Sequence, residues 1–199
     1  MTQSTKKTYY IWGEFSHTDF ASLNKLQHTV NHSLNGPLFK VHLTLSGPFQ
    51  ILDEKTLGEL EDLAMTNSVL EMRTNGYGTE DNIFQSFYVQ IQVSPELLYL
   101  KERLDDLLNI SPREYNPHIS LFYGNKESSI KDEIISKLGS PPGMITLDRL
   151  SIVEIVDDIA SWKVLYTYPL IKKLNAKLTL GRPVSVSYTH LTLPTILLV

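Results

Sequence analysis

The sequence contains no cysteine. Disulfides, thiolate nucleophiles and cysteine-ligated zinc are thereby excluded, and the absence fits a reducing, cytoplasmic setting. No apolar run is long enough to span a membrane, and Met1 to Lys7 lacks the apolar stretch of a signal peptide. Positive charge is scarce as well. Eighteen Lys and Arg stand against 22 Asp and Glu, for a net charge of −4. A surface built to grip long duplex nucleic acid needs a basic field, so that partner is not expected. No P-loop and no Gly-x-Gly-x-x-Gly fingerprint occurs, which argues against nucleotide binding through a glycine-rich loop. What is present is ordinary globular material. The chain has 199 residues, 42% of them hydrophobic, enough for one domain with a real core and no obvious reason to oligomerise.

Periodicity divides this material into elements. Thr8 to Phe15 is aromatic-rich and reads as a strand. Asp19 to Leu34 places Phe20, Leu23, Leu26, Val30 and Leu34 at helical spacing, and Asn35-Gly36-Pro37 stops the helix. Leu38 to Leu45 reads as a strand ended by Ser46-Gly47-Pro48, and Asp53 to Met65 as a helix. Val69 to Arg73 reads as a strand, followed by a loop at Asn75-Gly76-Tyr77-Gly78. The series then restarts. Phe84 to Val93 is a strand, Ser94-Pro95-Glu96 opens a helix to about Leu108, Tyr115 to Phe122 is a strand, and Ser128 to Leu138 is a helix. Ile145 to Val156 and Trp162 to Tyr168 form a hairpin around Asp157-Asp158. After Arg182 the chain carries no charge, and from there it resembles translated vector sequence, so residues 182–199 are set aside as a non-native tail.

Two of the strands share a pattern. Val41-His42-Leu43-Thr44-Leu45 and Pro117-His118-Ile119-Ser120-Leu121 each hold a histidine and a hydroxyl residue two apart. On a strand such residues point to the same face. One such match is weak, since about one is expected by chance. His190-Leu191-Thr192 in the tail is an example of a match without meaning. The other two are tied together by register: 118 − 42 = 76, and the same offset carries Tyr10 in the first strand onto Ser86 in the strand that restarts the series. The predicted fold is therefore α+β and bilobal, a pseudo-twofold duplication of a strand-helix-strand-helix unit. Two antiparallel-type sheets would flank a central cleft, with helices outside. Residues 1–181 would form the single domain, with lobe one at about 8–83, lobe two at about 84–170, and exchange of strands between the lobes allowed. Both His–hydroxyl pairs would face this cleft.

The chemistry of that constellation is acid/base catalysis. Histidine, with an ordinary pKa of about 6.5, can take or give a proton near neutrality. Hydroxyls can donate to an oxyanion. Two histidines so far apart in the chain, with no third ligand at a suitable spacing, do not suggest a metal site, and no cofactor is expected. His17, His28 and His32 fall on or beside the first helix and read as surface residues.

On His42-Leu43-Thr44-Leu45 and His118-Ile119-Ser120-Leu121, in two similar halves, the chain resembles the two-histidine (2H) phosphoesterase superfamily, which includes cyclic nucleotide phosphodiesterases and 2′-5′ RNA ligases. The resemblance covers about Thr8 to Leu170 and rests on element order outside the motifs. It implies His42, Thr44, His118 and Ser120 as catalytic residues acting on a 2′,3′-cyclic phosphate or related linkage, without a metal. The partner would be a small cyclic nucleotide or a short RNA end. RNA-end processing, 2′-5′ ligation and hydrolysis of cyclic oligonucleotides on the same fold remain open, as does a non-catalytic nucleotide-binding module. For substrate contacts, Tyr123 and Phe49 follow the two motifs and can stack on a base, and Tyr77 can close over a ligand from its loop.

Overall fold

In the computed structural model, residues 7–172 are described. The proposed tail lies outside them. Strand β1 (Thr8–Phe15) leads to helix α1 (His17–Leu34), β2 (Leu43–Phe49), α2 (Glu54–Thr66) and β3 (Leu70–Thr79). The series continues through β4 (Phe87–Ile91), α3 (Pro95–Leu108), β5 (His118–Phe122), α4 (Ser128–Lys137), β6 (Met144–Ile155) and β7 (Lys163–Pro169). Helix starts follow the capping residues in the sequence. The side chains of Ser16, Asp53 and Ser94 accept from the amides of Asp19, Thr56 and Leu97, which removes an orphan donor at each start. Asn35 and Asn109 end α1 and α3 in the left-handed conformation. Among the described residues no helix is long and apolar enough to cross a membrane.

All seven strands join one antiparallel sheet in the order β1-β2-β5-β4-β3-β6-β7. β6 also pairs with β1, so the first six form a closed ring with β7 on its outside. The expectation of two sheets gives way here to one, because β6 pairs with both β1 and β3 and the two histidine strands also touch. The contact between the histidine strands is a single residue pair, Leu43 opposite Ile119. Element ends recur at the sequence offset: Ile91 closes β4 and Phe15 closes β1, 91 − 15 = 76, and Ile155 and Thr79 close β6 and β3, 155 − 79 = 76. Side-chain neighbours recur too. Trp12 lies opposite Thr44, and their offset equivalents Tyr88 and Ser120 lie opposite each other.

The core lies between the sheet and the helices. Phe15, Phe87 and Phe122 are fully buried with Leu23, Leu34, Leu60 and Leu97. Each such side chain contributes about 1.5–3 kcal/mol by leaving water.

Three boundaries differ from the sequence expectation. β3 runs through Asn75-Gly76-Tyr77-Gly78, where a loop was expected, because a bulge between Thr74 and Tyr77 absorbs the glycine. β2 begins at Leu43 and continues past Gly47-Pro48. Gly47 sits at φ 124, and a Cβ there would lie 2.6 Å from the Tyr10 ring, so only glycine allows this close crossing. Phe84 belongs to a 3₁₀ turn at Ile83–Gln85 rather than to β4.

Candidate active site

The register between β2 and β5 explains how the two motifs meet. Leu43 and Ile119 are the paired residues, and both are fully buried on the core side. Their sequence neighbours must therefore point to the other face. Extending the antiparallel register one residue each way sets His42 across from Ser120 and Thr44 across from His118, since 42 + 120 = 44 + 118 = 43 + 119. All four residues line one cavity of about 290 Å³.

Both imidazoles are fixed in the same way. His42 Nδ1 lies 2.7 Å from the carbonyl of Lys40, and His118 Nδ1 lies 2.9 Å from the carbonyl of Asn116. A carbonyl can only accept, so each Nδ1 carries the hydrogen and donates it. That leaves each Nε2 as the nitrogen free to exchange a proton. Lys40 and Asn116 are themselves 76 apart, so the tethers are equivalent as well.

Their surroundings differ. His42 is buried, and the Trp12 ring stacks on it at 3.5 Å between centroids and 8° between planes. Desolvation lowers its pKa to about 3, with the charges of His118 and Lys40 acting in the same direction. The hydrogen bond to Lys40 opposes this without reversing it. His118 is half-buried, against a tilted Tyr88 ring at 5.1 Å. Burial lowers its pKa too, and the bond to Asn116 holds it up. Ser120 Oγ donates to the Phe84 carbonyl at 3.1 Å. Burial raises the Tyr123 phenol to about 12, partly offset by a hydrogen bond with Ser120, so Tyr123 keeps its proton and remains a donor. Among the described residues no group of three or more His, Asp or Glu is placed to hold a metal ion.

The sequence profile of the 2′-5′ RNA ligase superfamily matches residues 17–159, which include both histidine motifs. The chain belongs to that superfamily. The search of curated proteins finds no match. Among solved structures, E. coli LigT complexed with 3′-AMP is similar at a TM-score of 0.58 and 13% identity, covering 84% of this chain and 99% of that one. E. coli LigT complexed with phosphate gives 0.56 and 12%, covering 83% and 98%. The Thermus thermophilus protein TT0787 gives 0.57 and 17%, covering 83% and 99%. At these identities the likeness is one of fold.

Within this superfamily fold, five of the seven residues singled out from sequence come together: His42, Thr44, His118, Ser120 and Tyr123. Phe49 does not. It is buried in the core against Tyr9, at 5.6 Å between rings. Strand alternation accounts for this, since the extension of β2 past Gly47-Pro48 turns Phe49 inward. Tyr77 does not join the cavity either. The β3 bulge directs its hydroxyl to the Gly139 carbonyl at 2.9 Å, beside Phe87 rather than beside the histidines.

The other walls are Tyr10, Trp12, Phe84, Ile155 and Trp162. Trp162, just after the β6–β7 turn, sits edge-on to Trp12, His42 and Tyr123 at 5.7–6.4 Å, with its indole N–H donating to the Val156 carbonyl. Sequence reasoning missed these residues because strand aromatics usually mean core. One signal was available for Trp12. It and Tyr88 occupy the same place in the 76-residue repeat, each one strand away from a motif histidine.

Proposed function

We propose that this protein is a phosphodiesterase that opens a 2′,3′-cyclic phosphate, or a related cyclic nucleotide linkage, by two-histidine acid/base catalysis. The observation that carries this reading is the paired tethering: each Nδ1 is held by the carbonyl two residues earlier, in one cavity, with a hydroxyl residue beside each histidine. A single Nε2 can serve as a base. Two, on opposite strands of one cleft, suit an in-line displacement at phosphorus.

In this reading His42 is the base and His118 the acid. His42 is the drier residue and holds a proton least readily. Its Nε2 takes a proton from water as the water oxygen bonds to phosphorus. The bond from phosphorus to one ribose oxygen breaks, and His118 delivers its proton to that oxygen. The step ends with His42 protonated and His118 neutral, and exchange with solvent restores the start. Thr44 and Ser120 turn their hydroxyls to the non-bridging oxygens as charge builds there. Each proton transfer is worth about 10²–10⁴-fold, and each oxyanion donor about 10²–10³-fold. The Trp12 face favours the imidazolium that forms on His42.

The substrate is read as a single nucleotide unit, free or at an RNA end. The cavity is small, at the lower limit of ligand pockets, and walled by aromatic side chains on which a base can stack. The complex of E. coli LigT with 3′-AMP, a nucleoside monophosphate of the kind that opening a cyclic phosphate releases, supports a nucleotide as the recognised unit.

The test is turnover of a panel of 2′,3′-cyclic nucleotides and 2′-5′ and 3′-5′ dinucleotides in chelator, followed by phosphorus NMR. The wild type should turn over at least one cyclic phosphate. His42→Ala and His118→Ala should each abolish turnover with an unchanged circular dichroism spectrum. Near-normal activity in either variant would sink the reading. Binding without turnover by the wild type at every pH would select a non-catalytic nucleotide-binding module instead.

A further inference from the structure

Apart from the two titratable imidazoles, the cavity has no cationic side chain of its own. No lysine, arginine, aspartate or glutamate is among the described residues that line it. Two cations outside the cavity, Lys40 and Arg149, are held by one buried carboxylate. Glu14 follows Trp12 by two residues on β1 and is 5% exposed. Its Oε1 lies 2.5 Å from Lys40 Nζ and accepts a hydrogen bond from Ser151 at 2.7 Å. Its Oε2 lies 3.8 Å from Arg149 Nε, while Arg149 Nη2 donates to the Phe15 carbonyl. Asp148 takes the Arg149 Nε from the other side at 3.2 Å. Lys40 is near enough to His42 for its charge to depress that imidazole, yet its ammonium is turned to Glu14.

We propose that the site selects phosphate by charge, accepting the singly negative phosphodiester and disfavouring the doubly negative monoester, with Glu14 enforcing this by keeping Lys40 and Arg149 out of the cavity. The inference rests on the phosphodiesterase reading and deepens it. A buried anion must be met by hydrogen bonds or opposite charge, and the cost rises steeply with its charge. Two imidazoles, two motif hydroxyls and the Tyr123 phenol can satisfy one negative charge. A second finds no fixed cation. Hydrolysis of a cyclic diester makes a monoester whose second proton leaves near a pKa of about 6, so at neutral pH the product becomes the anion the cavity holds least well. Glu14 thus favours product release.

The experiment measures dissociation constants by calorimetry on the whole protein between pH 5 and pH 8. The two probes are a nucleoside 3′-monophosphate and the 3′-O-methyl phosphate diester of the same nucleoside. Taking their ratio removes the pH dependence that the two ligands share; the groups facing the phosphate are His42 just before β2, His118 and Tyr123 around β5, and Tyr10 on β1. Glu154 on β6 is paired with Lys7, and Asp158 caps the turn before Trp162. The monoester-to-diester ratio should rise about tenfold per pH unit above about pH 6, where the monoester loses its second proton. Glu14→Gln should cut the ratio at pH 8 about tenfold, of the order expected for one charge-assisted contact. Should that variant fail to fold, Ile155→Lys brings a cation to the cavity wall directly, and the same fall is expected. A ratio flat within twofold in the wild type, with turnover of a cyclic phosphate retained, overturns the charge selection alone. A folded Glu14→Gln with the wild-type ratio removes Glu14 from it. Absence of both binding and turnover overturns the phosphodiesterase reading and this inference together.

Discussion

Burial of His42 has a consequence that can be measured without any substrate. Its imidazole has an ordinary pKa of 6.5 and a folded-state value of about 3. Between those values the unfolded chain holds a proton that the folded chain does not. Stability must therefore fall as pH falls through that window, and be fully present above about 6.5. Linkage with these two values gives a loss of about 2 kcal/mol on going from pH 7 to pH 5 from this one group. Urea unfolding at the two pH values measures the total loss, which includes every other titrating residue. His42→Asn removes the imidazole but keeps an amide N–H to face the Lys40 carbonyl, so its own loss supplies the background. The wild type should lose about 2 kcal/mol more than the variant across this interval. His118 contributes with the same sign but remains in both proteins. A difference within about 0.3 kcal/mol, the usual scatter of such comparisons, would mean that His42 titrates as if in water. The dry, stacked imidazole that underlies its assignment as base would then be wrong.

Three further outcomes are expected. Both histidines are shifted below 6.5, so kcat/KM for a cyclic phosphate should be highest on the acid side of neutrality. It should fall about tenfold per unit as His118 loses its proton; a pH–rate profile with its maximum above pH 7.5 would contradict the assignment. Thr44→Val and Ser120→Ala should each lower kcat by about 10–10³-fold with a smaller change in KM, as expected for donors whose bonds strengthen in the transition state. Tyr77→Phe should leave kcat and KM unchanged while costing about 0.5–1.5 kcal/mol in urea unfolding, because it loses only the bond to Gly139.

The contrast between Tyr77 and Tyr123 shows what the sequence could and could not convey. Both are aromatic and both adjoin a glycine. Tyr123 follows β5 by one residue, and its placement followed from the strand that carries His118. Tyr77 depended on whether Asn75-Gly76 breaks a strand or bulges it, and local turn chemistry favours the break. The pairing partners β4 and β6 override that preference, and no residue near Tyr77 announces them. The helices were legible because capping and apolar spacing are local. The closed ring was not, since it depends on β6 reaching both β1 and β3 from the far end of the described chain. The meeting of the two histidine motifs was legible for the opposite reason. Their offset of 76 recorded a non-local relation in the sequence itself.

That same offset exposes how equivalent positions come to hold unequal groups. His42 and His118 share a tether, a place in the 76-residue repeat and a hydroxyl neighbour. They differ in the aromatic beside them, Trp12 face-on against Tyr88 tilted, and in the residue that offers the carbonyl, Lys40 against Asn116. An acid/base pair works from the state in which one member is empty and the other full, and two equal members divide that state between two opposite arrangements. A strictly symmetric cleft would leave that division to chance at every turnover. Here the stacked indole excludes water from one imidazole and the nearby ammonium repels its proton, while the other imidazole keeps some contact with solvent. In the proposed reaction the repeat would supply the geometry for in-line displacement, and the substitutions within it would set which histidine starts as the base.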